Sequence, residues 1–207
     1  MPATSPGVKC IDVFADVTCP FAHVGLRRIM AERDARGRRD VTFRVRAWPL
    51  ERVNGHAESG ADLQPKVVAL QGSVAPELFR SFDPATFPTS SLRALAWEAA
   101  AHAVDVQVGE QFSALVRTAL FEDGADIASE RVLTDLGADL PVSAPNEERV
   151  LRDWEEGQRR GVEGSPHFFV DDADFFCPSM SITREGGRLD IEFDEPGFTA
   201  FLDRCLA

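Results

Sequence analysis

Cys19 follows an apolar run, Val8 to Asp16 (VKCIDVFAD), and precedes Pro20 and a helical stretch that reaches about Gly37. A cysteine there sits at the first turn of a helix. Unpaired backbone N–H groups and the positive end of the helix dipole stabilise an anion at that point. The nucleophilic form of cysteine is the thiolate, and such settings lower the thiol below its ordinary ~8.5. The dipole contributes roughly 0.3–2 kcal/mol, which is up to about one pKa unit at ~1.4 kcal/mol per unit. His23, four residues on, shares a helix face with Cys19 and would lower the thiol further if protonated or donating a hydrogen bond. The other reading of Cys19 is a small buried hydrophobe.

A second feature lies far along the chain. Gly164-Ser165-Pro166-His167-Phe168-Phe169-Val170 puts a proline just ahead of an apolar strand. Proline does not sit inside a central strand, and an X-Pro bond is where a cis peptide occurs. A plain loop-to-strand proline fits as well. Cys177, in Phe175-Phe176-Cys177-Pro178, is the first internal candidate for a second thiol. A disulfide to Cys19 needs Cα atoms about 4.4–6.8 Å apart, and a packed loop cysteine is the alternative. Cys10 and Cys205 read as core fillers. Asp16 is a cap or a semi-buried proton relay, and the cap is the simpler reading. His167 lines a groove or packs on the outer sheet face.

The elements that position these residues follow from periodicity. After the first strand, Thr18 suits an N-cap, Pro20 a first turn and Gly37 a helix stop. Val41, Phe43, Val45 and Ala47 alternate with Thr42, Arg44 and Arg46, the period of a half-buried strand. A strand, a helix and a strand make a βαβ unit with parallel strands. Residues 60–160 read as helical. One helix, capped by Thr89-Ser90-Ser91, reaches about Val104, and others run from Gln111 to Glu122, from Ser129 and from Pro145 to about Gly161. Pro166 to Val170 reads as a buried strand. Ser179–Arg184 and Arg188–Phe193 flank Gly186-Gly187 as a hairpin, and Pro196 starts a last helix. Asp171, Asp172 and Asp174 read as a solvated turn, and the charge run Glu147 to Arg160 as a solvent-facing helix surface.

Together these features resemble the thioredoxin-like family of DsbA type, and more closely its FrnE-like cytosolic thiol oxidoreductases. The resemblance rests on Asp16-Val17-Thr18-Cys19-Pro20-Phe21-Ala22-His23-Val24-Gly25 followed by Arg27-Arg28. It rests also on Gly161-Val162-Glu163-Gly164-Ser165-Pro166, and on Phe121-Glu122-Asp123-Gly124-Ala125-Asp126-Ile127 inside the helical block. It implies an α/β fold, a thioredoxin-like βαβ…ββα core at residues 7–58 and 145–207 with a helical insertion at 59–144. It implies that Pro166 is cis and faces Cys19, and that the backbone of Ser165 pairs with an extended substrate. Thr18, Pro20, Phe21 and His167 would line the substrate groove, with Cys19 and His23 catalytic.

The family's second motif cysteine is Ala22 here. Cys19 therefore cannot form a disulfide with its motif neighbour, and a mixed disulfide needs another thiol to resolve it. Glutathione, mycothiol or Cys177 would supply it, with no cofactor tightly bound and no metal. Two rivals remain. Kappa-class glutathione transferases and 2-hydroxychromene-2-carboxylate isomerases, which resemble DsbA, place a serine where Cys19 stands and activate bound glutathione. A thioredoxin fold without its dithiol can also be a binding or chaperone module.

The composition fits this picture and excludes others. Of 207 residues, 44% are apolar and 27% charged, the balance of a globular domain. Asp and Glu number 34 against 22 Lys and Arg, a net charge of −12. Such a chain is a poor holder of nucleic acid phosphates or anionic lipid. No apolar run reaches the ~18 residues of a membrane span. The start, MPATSPGVKC, has no basic and apolar leader, and four scattered cysteines suit a reduced, cytoplasmic protein. His56 and His102 have no partner at metal spacing, and no GxGxxG, GxxxxGK[ST] or GxSxG occurs. The partners expected are peptide or small-molecule thiols and disulfides. Relatives of this type allow a homodimer.

Overall fold

The computed structural model describes residues 8–142 and 144–207. Gly7, the expected start of the core, lies outside the described residues. Strand β1 (Lys9–Ala15), helix α1 (Pro20–Ala35) and strand β2 (Val41–Ala47) form the opening βαβ unit. β1 and β2 pair in parallel, Lys9 opposite Val41 through Ala15 opposite Ala47. A short α2 (Leu50–Val53) leads to α3 (Gly60–Gln71), α4 (Leu92–Val104), α5 (Val106–Phe121) and α6 (Glu130–Gly137). Then α7 (Glu147–Arg160) returns the chain to β3 (His167–Val170) and β4 (Ala173–Phe176). The chain closes with β5 (Met180–Glu185), β6 (Arg188–Phe193) and α8 (Glu195–Leu206).

The main sheet has the order β2-β1-β3-β4, with β3 antiparallel to β1 and β4 antiparallel to β3. Alternation divides its two faces. Ile11, Val13, Phe43, Val45 and Phe168 share one buried cluster with Leu26 and Ile29 of α1 and Phe201 and Leu202 of α8. On the other face Phe14 meets Trp48 edge-on at 6.3 Å and Phe169 at 5.6 Å. Helix α7 covers that face. A Cβ on Gly157 would fall 2.5 Å from the Trp48 ring and 3.1 Å from Phe14, so the position is held to glycine by close approach. This is the thioredoxin-like α/β arrangement with helices inserted between β2 and β3.

The inserted helices build a second cluster around Leu63, Leu70, Leu95, Trp97, Phe112, Val116 and Phe121. Together with α7 they also close the open edge of the sheet. Strand β2 is an edge strand, and such strands expose unpaired N–H groups. Phe43 N–H donates to Glu110 Oε2 of α5 at 2.8 Å, Val45 N–H to His102 Nε2 of α4 at 3.2 Å, and Ala47 N–H to Asp153 Oδ2 of α7 at 3.3 Å.

Several expectations are corrected. The N-cap of α1 is Cys19 itself, not Thr18, and it makes no side-chain cap bond. Helix α5 starts at Val106 on an Asp105 cap, earlier than Gln111. Asp171 and Asp172 do form a turn, but Asp174 belongs to β4, opposite Phe169. Its partners His167 and Phe169 set β4 by cross-strand contact, which a four-residue run cannot signal on its own. The β5–β6 hairpin forms as a separate two-stranded sheet. In the α7 charge run Asp153 is buried and bonds Arg46 Nε at 2.9 Å, while Arg160 reaches Asp12 at 2.7 Å. Glu147, Glu148, Arg152, Glu155 and Arg159 face solvent as expected, while Asp153 and Arg160 make a charged seam against the sheet.

Candidate active site

The turn from β1 to α1 presents Cys19. Its N–H donates to the Asp16 carbonyl at 3.3 Å, and its own carbonyl accepts the first helical bond, from His23 N–H, at 3.1 Å. Pro20 occupies the start of the helix, where a missing N–H costs nothing. The Cys19 Sγ–H donates to the Ser165 carbonyl oxygen at 3.1 Å. The thiol is 3% exposed. Burial pushes it up, against the lowering pull of the Ser165 hydroxyl and the Ala22 and Phe21 amides, and the Asp16 charge adds to the rise. The helix terminus alone predicts a lowered thiol. Desolvation overrides the helix amides here, so the resting group is the protonated thiol.

Ser165 stands at a junction. Its hydroxyl accepts from Asp16 N–H at 2.9 Å, and the Ser165–Pro166 peptide is cis. Pro166 lies over α1, where a Cβ on Gly25 would meet its Cγ at 3.5 Å. Cys177 docks on the same segment, its N–H donating to the Pro166 carbonyl at 3.0 Å. Cys177 is 6% exposed and has a positive φ of 46°. Burial pushes its thiol strongly up, and the Cys19 sulfur adds to the rise. Two cysteines thus flank consecutive residues of one loop.

Asp16 is completely buried. Its Oδ1 accepts from Thr18 N–H and Thr18 Oγ1–H, both at 2.9 Å. Its Oδ2 accepts from Leu50 N–H at 2.7 Å and from Ser91 Oγ–H at 3.0 Å. Burial pushes its carboxyl up, and these four donors pull it back. Thr18 therefore serves Asp16 and is not free to hold a thiolate with its side chain.

His23 turns toward the insertion. Its Nε2 bonds Glu122 Oε1 at 2.7 Å, and its ring lies 5.5 Å from Phe79 and 5.0 Å from Phe121. Glu122 Oε2 accepts from Phe79 N–H at 2.9 Å. Burial pushes His23 down against the pull of Glu122, which favours a neutral ring. A neutral His23 engaged by Glu122 docks α1 on the insertion. Phe21 is half-buried between the two apolar clusters.

His167 sits on the other face of the sheet. It is stacked on Phe169 at 4.6 Å, with Nε2 on Asp174 Oδ1 at 3.0 Å and Nδ1 accepting from Glu163 N–H at 3.1 Å. Its side chain is not in the cleft beside Cys19. Glu163, His167 and Asp174 come within reach of a common point. The Glu163 amide puts the imidazole proton on Nε2, so the ring nitrogen facing Asp174 has no lone pair for a metal.

The geometry thus joins Cys19, Ser165, Pro166 and Cys177 and sets His167 apart. Sequence reasoning missed Glu122, Leu50 and Ser91 as partners of this site. Glu122 lies inside the Phe121–Ile127 motif and Ser91 in a recognised cap, so both carried a signal. The Leu50 amide carried none.

The chain belongs to the DSBA-like thioredoxin domain family, whose profile matches residues 10–184. No curated protein matches it in sequence. Among solved structures it is similar to the cytosolic disulfide reductase DsbM from Pseudomonas aeruginosa, at 16% identity and a TM-score of 0.61, over 95% of this chain and 98% of that one. The glutathione-bound form of DsbM gives 18% and 0.58 over the same shares. A 2-hydroxychromene-2-carboxylate isomerase gives 19% and 0.58, over 81% of this chain and 88% of that one. At these identities the likeness is one of fold. Among the described residues no helix is long and apolar enough to cross a membrane.

Proposed function

We propose that this DSBA-like thioredoxin-domain protein is a thiol–disulfide oxidoreductase that works through one nucleophilic cysteine. The observation that carries the reading is Cys19, seated at the first turn of α1 with its sulfur on the carbonyl of the residue before cis-Pro166, while Ala22 takes the place of a second motif thiol. Cys19 loses its proton and attacks one sulfur of a peptide or small-molecule disulfide. The bond to Cys19 forms as the S–S bond breaks, and the second half leaves as a thiolate. The Ser165 backbone pairs with the extended substrate. A second thiol, as its thiolate, then attacks the substrate sulfur of the mixed disulfide; that S–S bond breaks, the second thiol keeps the substrate half in a new disulfide, and Cys19 leaves as a thiolate that takes a proton from solvent.

That second thiol is a small one, glutathione or mycothiol. Cys177 is the internal alternative, seated next to the site by its N–H on the Pro166 carbonyl. The fold likeness to a glutathione-bound disulfide reductase supports a glutathione-type co-substrate, with the protein working in the cytoplasm. His23 acts as a positioning residue through Glu122. Thr18, Pro20 and Phe21 shape the turn around the sulfur.

A glutathione-dependent transferase or isomerase is the second reading. The single thiol at Cys19 and the fold likeness to a 2-hydroxychromene-2-carboxylate isomerase favour it. Reduction of bis(2-hydroxyethyl) disulfide by glutathione, coupled to glutathione reductase, separates the two. Turnover lost to background in Cys19→Ser supports the oxidoreductase. No turnover by the wild type at any glutathione concentration contradicts it, and mycothiol is tested alongside.

A further inference from the structure

The geometry points to a cleft between α1 and α5 as a binding site for one small monovalent anion of chloride size, taken up together with a proton on His23 Nδ1. The cleft holds about 30 Å³ and is lined by His23, Arg27 and Met30 of α1 and by Ser113, Ala114 and Arg117 of α5. It joins the core helix to the insertion, and nothing in it depends on the role of Cys19.

Arg117 supplies the donors. It is 2% exposed, and its hydrogen bonds all leave from Nη1. They reach Glu98 Oε1 at 2.5 Å, the Ser113 hydroxyl at 2.6 Å and the Ser113 carbonyl at 3.2 Å. Nε and Nη2 are buried without a partner. Guanidinium N–H groups in that position call for an acceptor, because an unmade bond to a buried charged donor is costly. His23 supplies a second orphan. Its neutral ring donates Nε2–H to Glu122, which leaves the Nδ1 lone pair buried and unpartnered.

Charge and size select the ligand. The chain carries a net charge of −12, yet among the described residues two guanidiniums and no carboxylate line this cleft. The acids that face it stand one residue back. Glu98 of α4 holds Arg117 from behind, and Glu122, after α5, sits on the far nitrogen of His23, where Arg27 helps hold its carboxyl low. The remaining neighbours of the His23 ring are the Phe79 and Phe121 rings. Two cations and two carboxylates cancel. A proton taken from solvent at Nδ1 adds one positive charge and turns the lone pair into a third donor, and a single anion balances it. A volume of about 30 Å³ has room for one or two waters. A monatomic anion fits that space, whereas sulfate, phosphate or a carboxylate does not.

The test is titration of the full chain with chloride, read by chloride NMR line width and by melting temperature, with gluconate holding ionic strength constant. Broadening that saturates and a melting temperature that rises with chloride are expected. The Kd is expected to increase between about pH 5 and 7, approaching about tenfold per unit for one linked proton. Ala114→Leu, at an exposed helix position, fills the cleft and is expected to abolish the saturable broadening in a folded protein. Arg27→Gln removes a rim charge and is expected to weaken binding by about threefold. Broadening that never saturates, or that survives unchanged in folded Ala114→Leu, overturns the proposal and leaves only water between Arg117 and His23. Saturable binding with no pH dependence overturns the assignment of the proton to His23.

Discussion

The sulfur of Cys19 lies 3.1 Å from the carbonyl oxygen of Ser165, a residue 146 positions away in the chain. This contact closes the site. The first βα turn supplies the thiol, and the loop entering β3 supplies the acceptor.

Ser165 also sets the thiol through its hydroxyl, which lowers it against burial. Ser165→Ala removes that donor and the acceptor for Asp16 N–H. The midpoint of Cys19 alkylation is expected to move to higher pH. A midpoint that stays in place or falls would show that the hydroxyl does not bond the sulfur.

Glu122 joins α1 to the insertion by bonding His23 with one oxygen and Phe79 N–H with the other. Removing it leaves two buried groups unpaired, each costing about 1–3 kcal/mol. Glu122→Ala is expected to lower stability in urea by the sum of the two, with Glu122→Gln nearer the wild type. Equal losses in both would show that charge, not the bonds, holds the joint.

The outline of the fold was open to sequence reasoning because its signals are local. The alternation in Val41–Ala47, the caps at Ser91 and Ser129 and the turn at Gly161 mark elements without reference to anything distant. Cys19 and the Ser165-Pro166 pair were open for the same reason. What stayed hidden depends on packing. Periodicity puts His23 on the face of Cys19 but does not reveal that Glu122 engages its ring. A helix terminus argues for a lowered thiol, and only the depth of burial reverses the direction. Strand β4 depends on pairing with β3, and His167 is committed to Asp174 across that pair.

His102 should give folding a pH dependence. Burial, aided by Arg149, pushes it down to about 3 from 6.5, and its Nε2 accepts from Val45 N–H. A lowered pKa stabilises the fold fully above the unfolded value and loses that share as pH falls from 6.5 toward about 3. The slope from one such group approaches about 1.4 kcal/mol per pH unit. Urea unfolding between pH 7 and 5 should show stability falling, and His102→Gln, which keeps an acceptor for Val45, should show a shallower fall. An identical slope in the variant contradicts a neutral His102. His23 shifts in the same direction, so some slope remains.

Gly157 is a tight contact of α7 with the sheet. An added Cβ would meet Trp48 at 2.5 Å. Gly157→Ala gains about 1 kcal/mol of helix propensity but overpacks a buried aromatic, which costs about 1–3 kcal/mol. Lower thermal stability with altered tryptophan fluorescence is expected. A more stable variant would mean that α7 and Trp48 lie farther apart.

The most direct test of the account is intact-mass and peptide mapping after exposure to oxidised glutathione. One glutathione adduct is expected, on Cys19, removed by reduced glutathione and abolished by Cys19→Ser. An internal Cys19–Cys177 disulfide would make the resolving thiol part of the chain. No adduct on Cys19, with the protein folded and the reagent active on a control thiol, would contradict the central claim that Cys19 is a disulfide-exchanging nucleophile.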